Sequence, residues 1–178
     1  LTLKARRILL EADVVAVPDK GSGEKTALNI VKDVVEGKNL LPCPTPMVRD
    51  KALLDGCYEE IAGRICALLD EGKNVAFITL GDPAVYSTFM YTLPYIERRG
   101  VTVEVVPGVP SFCAVADSMK MPLAVWSEDL LVMPVGRKGG GDLGEILRQH
   151  DNVVFMKPSA NQEALVRAIR ENGLEDSF

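Results

Sequence analysis

The sequence predicts an α/β protein, and three observations carry that prediction. Strand-like and helix-like hydrophobic patterns alternate along the whole chain. The run Asn74-Val75-Ala76-Phe77-Ile78-Thr79-Leu80 is short and nearly continuously apolar, as expected of a strand covered on both faces in the centre of a mostly parallel sheet. Two strand-like runs also end in glycine or proline turns, Gly81-Asp82-Pro83 and Pro107-Gly108. Open α/β sheets place their ligands at such strand ends.

Taken in order, residues 1–12 show apolar positions at Leu3, Ile8, Leu9 and Ala12 between Lys4, Arg6 and Arg7, a helical pattern. Residues 13–17 form a strand that Pro18 should stop, and a loop follows. A helix is predicted over 26–35, with Ala27, Ile30, Val31 and Val34 on one face. Residues 39–42 read as a weak strand, and Pro42, Pro44 and Pro46 favour a loop after it. Residues 49–71 form a long amphipathic helix striped by Leu53, Leu54, Ile61, Ile65, Leu68 and Leu69. After the central strand, Asp82 suits a helix N-cap and Pro83 the first helical position. That predicts a helix over 85–99, bent or divided by Pro94. Residues 101–106 read as a strand, 111–119 as a helix of small residues, and 130–134 as a strand. A glycine-rich loop at 136–142, a helix over 143–149, a strand over 152–156 and a helix over 162–172 complete the chain. The connection at 120–128, where the pattern restarts, marks a domain boundary, giving domains 1–122 and 123–178.

The 178 residues are 47% hydrophobic, enough for one domain with a substantial core or two small ones. A net charge of −5 leaves no basic face, which argues against a nucleic-acid partner. Apolar runs are too short to span a bilayer and no signal-peptide pattern is present, so no membrane partner is expected. Cys43, Cys57, Cys66 and Cys113 form no Cys-x-x-Cys pair, and His150 is the single histidine, so no metal site is expected. Scattered single cysteines suit a reducing, cytoplasmic setting, with all four packed as small hydrophobes.

Two loops deserve weighing as phosphate sites. GSGEKT at 21–26 lies between a strand and a helix, but a P-loop with Lys25 in its lysine slot needs glycine where Asp19 and Glu24 stand. GRKGGGD at 136–142 adds Arg137 and Lys138 to glycines that permit backbone nests, although its spelling also fits a solvated loop. A Ser/His/Asp triad is not credible with one histidine near the end. Asp82 is the one acid at a predicted ligand site, and capping alone explains it. Tyr86, Ser87 and Thr88 place three hydroxyls at the same strand end, where packing and helix-start preference compete with ligand binding. The residues by themselves lead to a small-molecule crevice built from glycine and proline turns.

The order of several motifs then resembles the tetrapyrrole methylases, S-adenosylmethionine-dependent methyltransferases that build corrinoids and sirohaem. LTLKA at the start and DVVAVP at 13–18 resemble first-domain segments, LGDP at 80–83 and PGVPS at 107–111 the two cofactor turns, and NVVFMK at 152–157 a second-domain strand. PMVRD at 46–50 and GDPxxYST at 81–88 are most similar to the branch acting on carbon 20 of precorrin-2 or cobalt-factor II. The resemblance implies two α/β domains with the active site in the cleft between them, and a homodimer. It also implies a Gly-Pro-Gly-Asp-Pro loop ahead of Leu1 and further strands after Phe178, neither of which the sequence contains.

Position by position, it assigns cofactor contacts to Leu80, Gly81, Asp82, Val85, Pro110, Ser111 and Met156, with Tyr86, Ser87, Phe112 and Lys157 adjacent. Pro110 departs from the family, which often has threonine there. The implied cofactor is S-adenosylmethionine and the partner a small tetrapyrrole. Because that substrate carries many carboxylates, Arg49, Arg137 and Lys138 are its expected partners. No catalytic base is identified. A sister methylase acting at another ring position, or a non-catalytic binding protein of the same fold, remains open.

Overall fold

A computed structural model describes residues 1–19, 21, 26–46, 48, 50–135 and 141–177. The chain forms two compact units, Leu1–Ser111 and Phe112–Phe178. The helix over 111–119 therefore groups with the second unit, where the sequence reading assigned it to the first.

In the first unit, β1 (Val14–Asp19), β2 (Asn39–Pro44) and β3 (Val75–Phe77) form a parallel sheet in the order β2-β1-β3. Val14 is opposite Asn39 on one side and Val75 on the other. The most buried strand is thus β1, and the predicted central strand lies at the edge of the ladder. Val15 and Ala16 are both fully buried, on opposite faces, because neighbouring side chains in a strand alternate. Ala16 packs with Ile61, Ala62 and Ile65 of α3 (Lys51–Asp70) and with Phe89 and Ile96 of α4 (Phe89–Glu97). Val15 and Val17 pack with Leu9 of α1 (Leu3–Glu11) and with Val31 of α2 (Thr26–Val31). Burying a valine such as Val15 contributes about 2 kcal/mol.

Local chemistry sets the helix starts. The Thr2 hydroxyl accepts the Ala5 N–H at 3.3 Å, and the Asp50 carboxylate accepts the Leu53 N–H at 3.1 Å. Pro18 does not stop β1. Ala16 turns its carbonyl toward β3, where it accepts the Ile78 N–H at 3.0 Å. Two residues on, Pro18 faces the same side beyond the end of the β3 ladder, so its missing N–H has no partner to lose. Residues 83–88 are not helical, and α4 starts at Phe89. Tyr86 is the cause: its φ of 50° interrupts any helix there. The helix then continues across Pro94 rather than dividing. Residues 101–110 carry neither helix nor ladder, against the strand expected at 101–106.

Helix α5 (Ser111–Met119) begins at the last residue of the first unit and otherwise belongs to the second, where β4 (Leu130–Pro134), α6 (Leu143–Gln149), β5 (Asn152–Met156) and α7 (Gln162–Glu171) follow. β4 and β5 pair in parallel from Leu130↔Asn152 to Pro134↔Met156. Trp126, in the connection before β4, is fully exposed and has a φ of 54°. Among the described residues no helix is long and apolar enough to cross a membrane.

A polar clasp closes the amino ends of β4 and β5. The Asp129 carboxylate accepts the Asp151 N–H at 2.8 Å, and the Asp151 carboxylate accepts the Asp129 N–H at 3.1 Å. The other Asp129 oxygen meets His150 Nδ1 at 2.5 Å, and Asn152 donates to Glu128 at 3.0 Å. The His150 hydrogen bond first, and the Asp151 N–H second, hold the Asp129 carboxyl below the usual aspartate range. The stability this lends is present above the unfolded-state range and is lost as pH falls through the lowered folded value. Asp129→Asn should flatten the acid limb of the stability profile, measured by urea unfolding at pH values on both sides of that range; an unchanged acid limb would show the clasp to be irrelevant.

Candidate functional site

The turn after β3 and the turn at 107–110 lie side by side in the first unit, and one side chain joins them. Asp82 Oδ1 accepts the Ala84 N–H at 2.8 Å, and Oδ2 accepts the Gly108 N–H at 2.8 Å. The first bond closes a local Asx-type turn, reinforced by the Val85 N–H donating to the Asp82 carbonyl at 3.1 Å. The second reaches across 26 residues. Asp82 is therefore not the N-cap of a long helix but a bridge between two loops.

The backbones themselves touch. A Cβ on Gly108 would stand 2.1 Å from the Gly81 carbonyl oxygen, so no other residue fits there without moving the turn. Gly81 has a φ of 78°, which an L side chain rarely adopts. Gly108 is thus as necessary as Gly81, although its necessity comes from close approach rather than from a left-handed backbone. Sequence reasoning quoted PGVPS but passed over Gly108 as a site residue. The available signal was a glycine in a strand-end turn.

Ser87 is committed to the fold. It is buried, its hydroxyl lies 2.9 Å from the Thr79 hydroxyl, and it accepts the Phe89 N–H at 3.2 Å. The strand end is thereby pinned to the start of α4, a role for Thr79 that the sequence did not suggest. Leu80, Tyr86 and Val109, by contrast, are about half exposed around the turns, and Val85 is half-buried. Pro110 and Ser111 close the second turn, with the Pro110 Cα only 3.7 Å from a Cβ placed on Gly81. The first unit thus brings Leu80, Gly81, Asp82, Val85, Tyr86, Ser87, Pro110 and Ser111 into one neighbourhood.

The remaining candidates divide differently. Phe112, half-buried in α5, is the first residue of the second unit. Met156 ends β5, half-buried, and its carbonyl accepts the Val135 N–H at 2.8 Å. Lys157 follows, exposed, with a φ of 55°. Arg49, Arg137 and Lys138 lie outside the described residues.

Chemically, the paired turns offer two glycines packed against each other and the exposed apolar surface of Leu80, Tyr86 and Val109 around them. Both Asp82 oxygens already accept N–H groups, which leaves the carboxylate poorly placed to act as a base. No lysine or arginine belongs to either turn, so nothing there matches a polyphosphate.

The family model described as Tetrapyrrole (Corrin/Porphyrin) Methylases matches residues 1–177. "Probable cobalt-precorrin-2 C(20)-methyltransferase" of Methanocaldococcus jannaschii is 37% identical over 166 residues, 93% of this chain and 69% of that protein. The cobalt-precorrin-2 C(20)-methyltransferase of Salmonella typhimurium is 37% identical over 161 residues, 88% of this chain and 66% of that protein. The chain spans about two thirds of the length of these curated relatives. Among solved structures, a uroporphyrin-III C-methyl transferase from Thermus thermophilus, in complex with S-adenosylhomocysteine, matches with a TM-score of 0.60 and 25% identity. That match covers 94% of this chain and 70% of the other.

The Asp82 bridge should be measurable as stability. Asp82→Ala orphans two N–H groups and is expected to cost about 1–3 kcal/mol in urea unfolding. Asp82→Asn keeps an acceptor for Ala84 but turns an amide NH2 toward Gly108, so it should lie between wild type and alanine. Equal stability of all three would show that the bridge does not hold the turns.

Proposed function

The chain belongs to the tetrapyrrole (corrin/porphyrin) methylases, and from that membership we propose that it methylates carbon 20 of precorrin-2 or cobalt-factor II, with S-adenosylmethionine as donor, in cobalamin biosynthesis. The observation that carries this reading is the 37% identity, over most of the chain, to relatives named for that reaction. A sister activity at another ring position is not favoured by those relatives.

The donor supplies a methyl group already activated on a positive sulfur. What this chain contributes is position. Leu80, Gly81, Asp82 and Val85 would hold the cofactor from one turn, and Pro110 and Ser111 from the other, with Tyr86 and Ser87 adjacent. Leu80 and Tyr86 have exposed apolar surface for the purpose. Ser87 serves the cofactor through the shape of the strand end, since its hydroxyl is engaged by Thr79 and Phe89. Asp82 acts likewise, by keeping Gly108 against Gly81. Phe112, with Met156 and Lys157 from the second domain, completes the cofactor set, and Arg49, Arg137 and Lys138 meet the substrate carboxylates.

We place the active site in a cleft between two α/β domains, 1–122 and 123–178. The working form is a cytoplasmic homodimer that engages a small tetrapyrrole and neither nucleic acid nor membrane. No group need be assigned as a catalytic base for methyl transfer itself: alignment of donor and acceptor and exclusion of water supply the rate.

Two measurements on the purified protein test the proposal. Calorimetric titration with S-adenosylhomocysteine should show saturable binding, and its absence would favour a scaffold. Incubation of precorrin-2 or cobalt-factor II with S-adenosylmethionine should add one methyl group by mass spectrometry, at carbon 20 by NMR. A methyl elsewhere on the ring would move the protein to a sister activity.

A further inference from the structure

Among the described residues, β2 is the outer strand of the first unit's sheet on the side away from β3. Pro42 and Pro44 lie within it and Pro46 just beyond. Such spacing favours a loop, yet the strand runs on to Pro44, in register with Asp19 of β1. Parity explains how. Successive residues of a strand turn their N–H and C=O groups to alternate sides. The Thr45 N–H donates to the Asp19 carbonyl at 2.7 Å, so the odd-numbered residues of this run face β1. Leu40, Pro42 and Pro44 therefore face outward, where a missing N–H takes nothing from the ladder. Side chains follow the same period. Cys43 and Thr45 are buried, whereas Leu40, Pro42 and Pro44 are exposed.

A further strand joins a sheet through the outward row of peptide groups. Here that row holds one N–H between positions 40 and 44, that of Leu40. Its acceptors are reduced as well. Arg64 of α3 donates from Nη1 to the Pro42 carbonyl at 2.9 Å, which occupies the middle of the row with a guanidinium. Past the strand, the Pro46 carbonyl accepts the Val48 N–H at 2.9 Å. A joining strand would thus meet a pyrrolidine ring at two successive positions where it needs a donor, with a charged side chain on the acceptor between. The edge has reason to be closed, because Leu40 is 44% exposed and leaves apolar surface beside it.

We propose that Pro42, Pro44 and Arg64 close this edge to strand addition, and that the partner they exclude is β2 of a second copy. Two such edges related by a two-fold axis are identical and would pair antiparallel, which extends one sheet across two molecules. Any assembly of the chain then forms through another surface. The proposal is independent of the methyltransferase reading.

Restoring the donors tests it. Threonine suits a strand and supplies the N–H that proline lacks. Pro42→Thr combined with Pro44→Thr and Arg64→Ala should self-associate in sedimentation velocity. At concentrations where the wild-type mass is constant, its mass should rise to about twice the wild-type value or more. Adding Leu40→Pro removes the last outward N–H without touching the β1 ladder, and should return the mass to that of wild type. Amide hydrogen exchange reports on the edge itself. In wild type, Leu40 should exchange fast while Leu41 and Cys43 exchange slowly. In the triple variant, the amides at positions 40, 42 and 44 should slow by about 10-fold or more as concentration rises. Slow exchange at Leu41 and Cys43 shows there that the ladder to β1 is intact. A triple variant with wild-type mass at every concentration, association that survives Leu40→Pro, a protected Leu40 in wild type, or loss of protection at Leu41 and Cys43 in the variant overturns the proposal.

Discussion

The arrangement depends most on the Asp82 carboxylate and the two peptide N–H groups it accepts. One of those groups is local and the other lies in a different loop, so a single ionised side chain converts two turns into one structure. The glycines make the contact possible and the carboxylate makes it stable. Gly108 can lie against the Gly81 carbonyl only because it has no side chain, and it stays there because its N–H has a charged acceptor at 2.8 Å. Hydrogen bonds to ionised acceptors are among the stronger ones available to a protein, which suits a contact otherwise made by backbone alone.

Behind the bridge stands β1. Its side chains are buried on both faces and its backbone is paired on both edges. That fixes the register of β3, and with it the height at which Gly81 leaves the sheet. A strand slip of one residue would exchange the α1/α2 face for the α3/α4 face, and would carry the first turn away from Gly108. The chemistry of the site is therefore a consequence of core packing several residues away, with Ser87, Thr79 and Phe89 as the local fastening.

Much of this was legible in the sequence because much of it is local. The strands at 130–134 and 152–156 and the helices at 111–119 and 143–149 appeared where periodicity put them. The three neighbouring strands of the first unit were recognised from short apolar runs, although Pro18 was misread as a stop. What the sequence hid was non-local or conformational. No pattern announces that Tyr86 adopts a left-handed backbone, yet that one residue separates the Asp82 turn from α4. Nor could spacing show that Asp82 finds Gly108, or that Ser87 finds Thr79. Residues 101–106 have a strand's side-chain alternation without a strand's partners, and pairing is the property a single segment cannot encode. Arg49, Arg137 and Lys138, proposed as partners of the substrate carboxylates, fall outside the described residues.

The position of Trp126 has a practical consequence. It is the single tryptophan of the chain and it is fully exposed, in the connection ahead of β4 in the second unit. An indole already in water in the native state changes its surroundings little when the protein unfolds, so its emission should begin red-shifted and stay so. Tryptophan fluorescence is then nearly blind to the β1 core. Spectroscopists following the first unit would do better with far-ultraviolet dichroism, or with the tyrosine pair Tyr58 and Tyr91, whose rings stack at 5.5 Å between α3 and α4 and separate when those helices part.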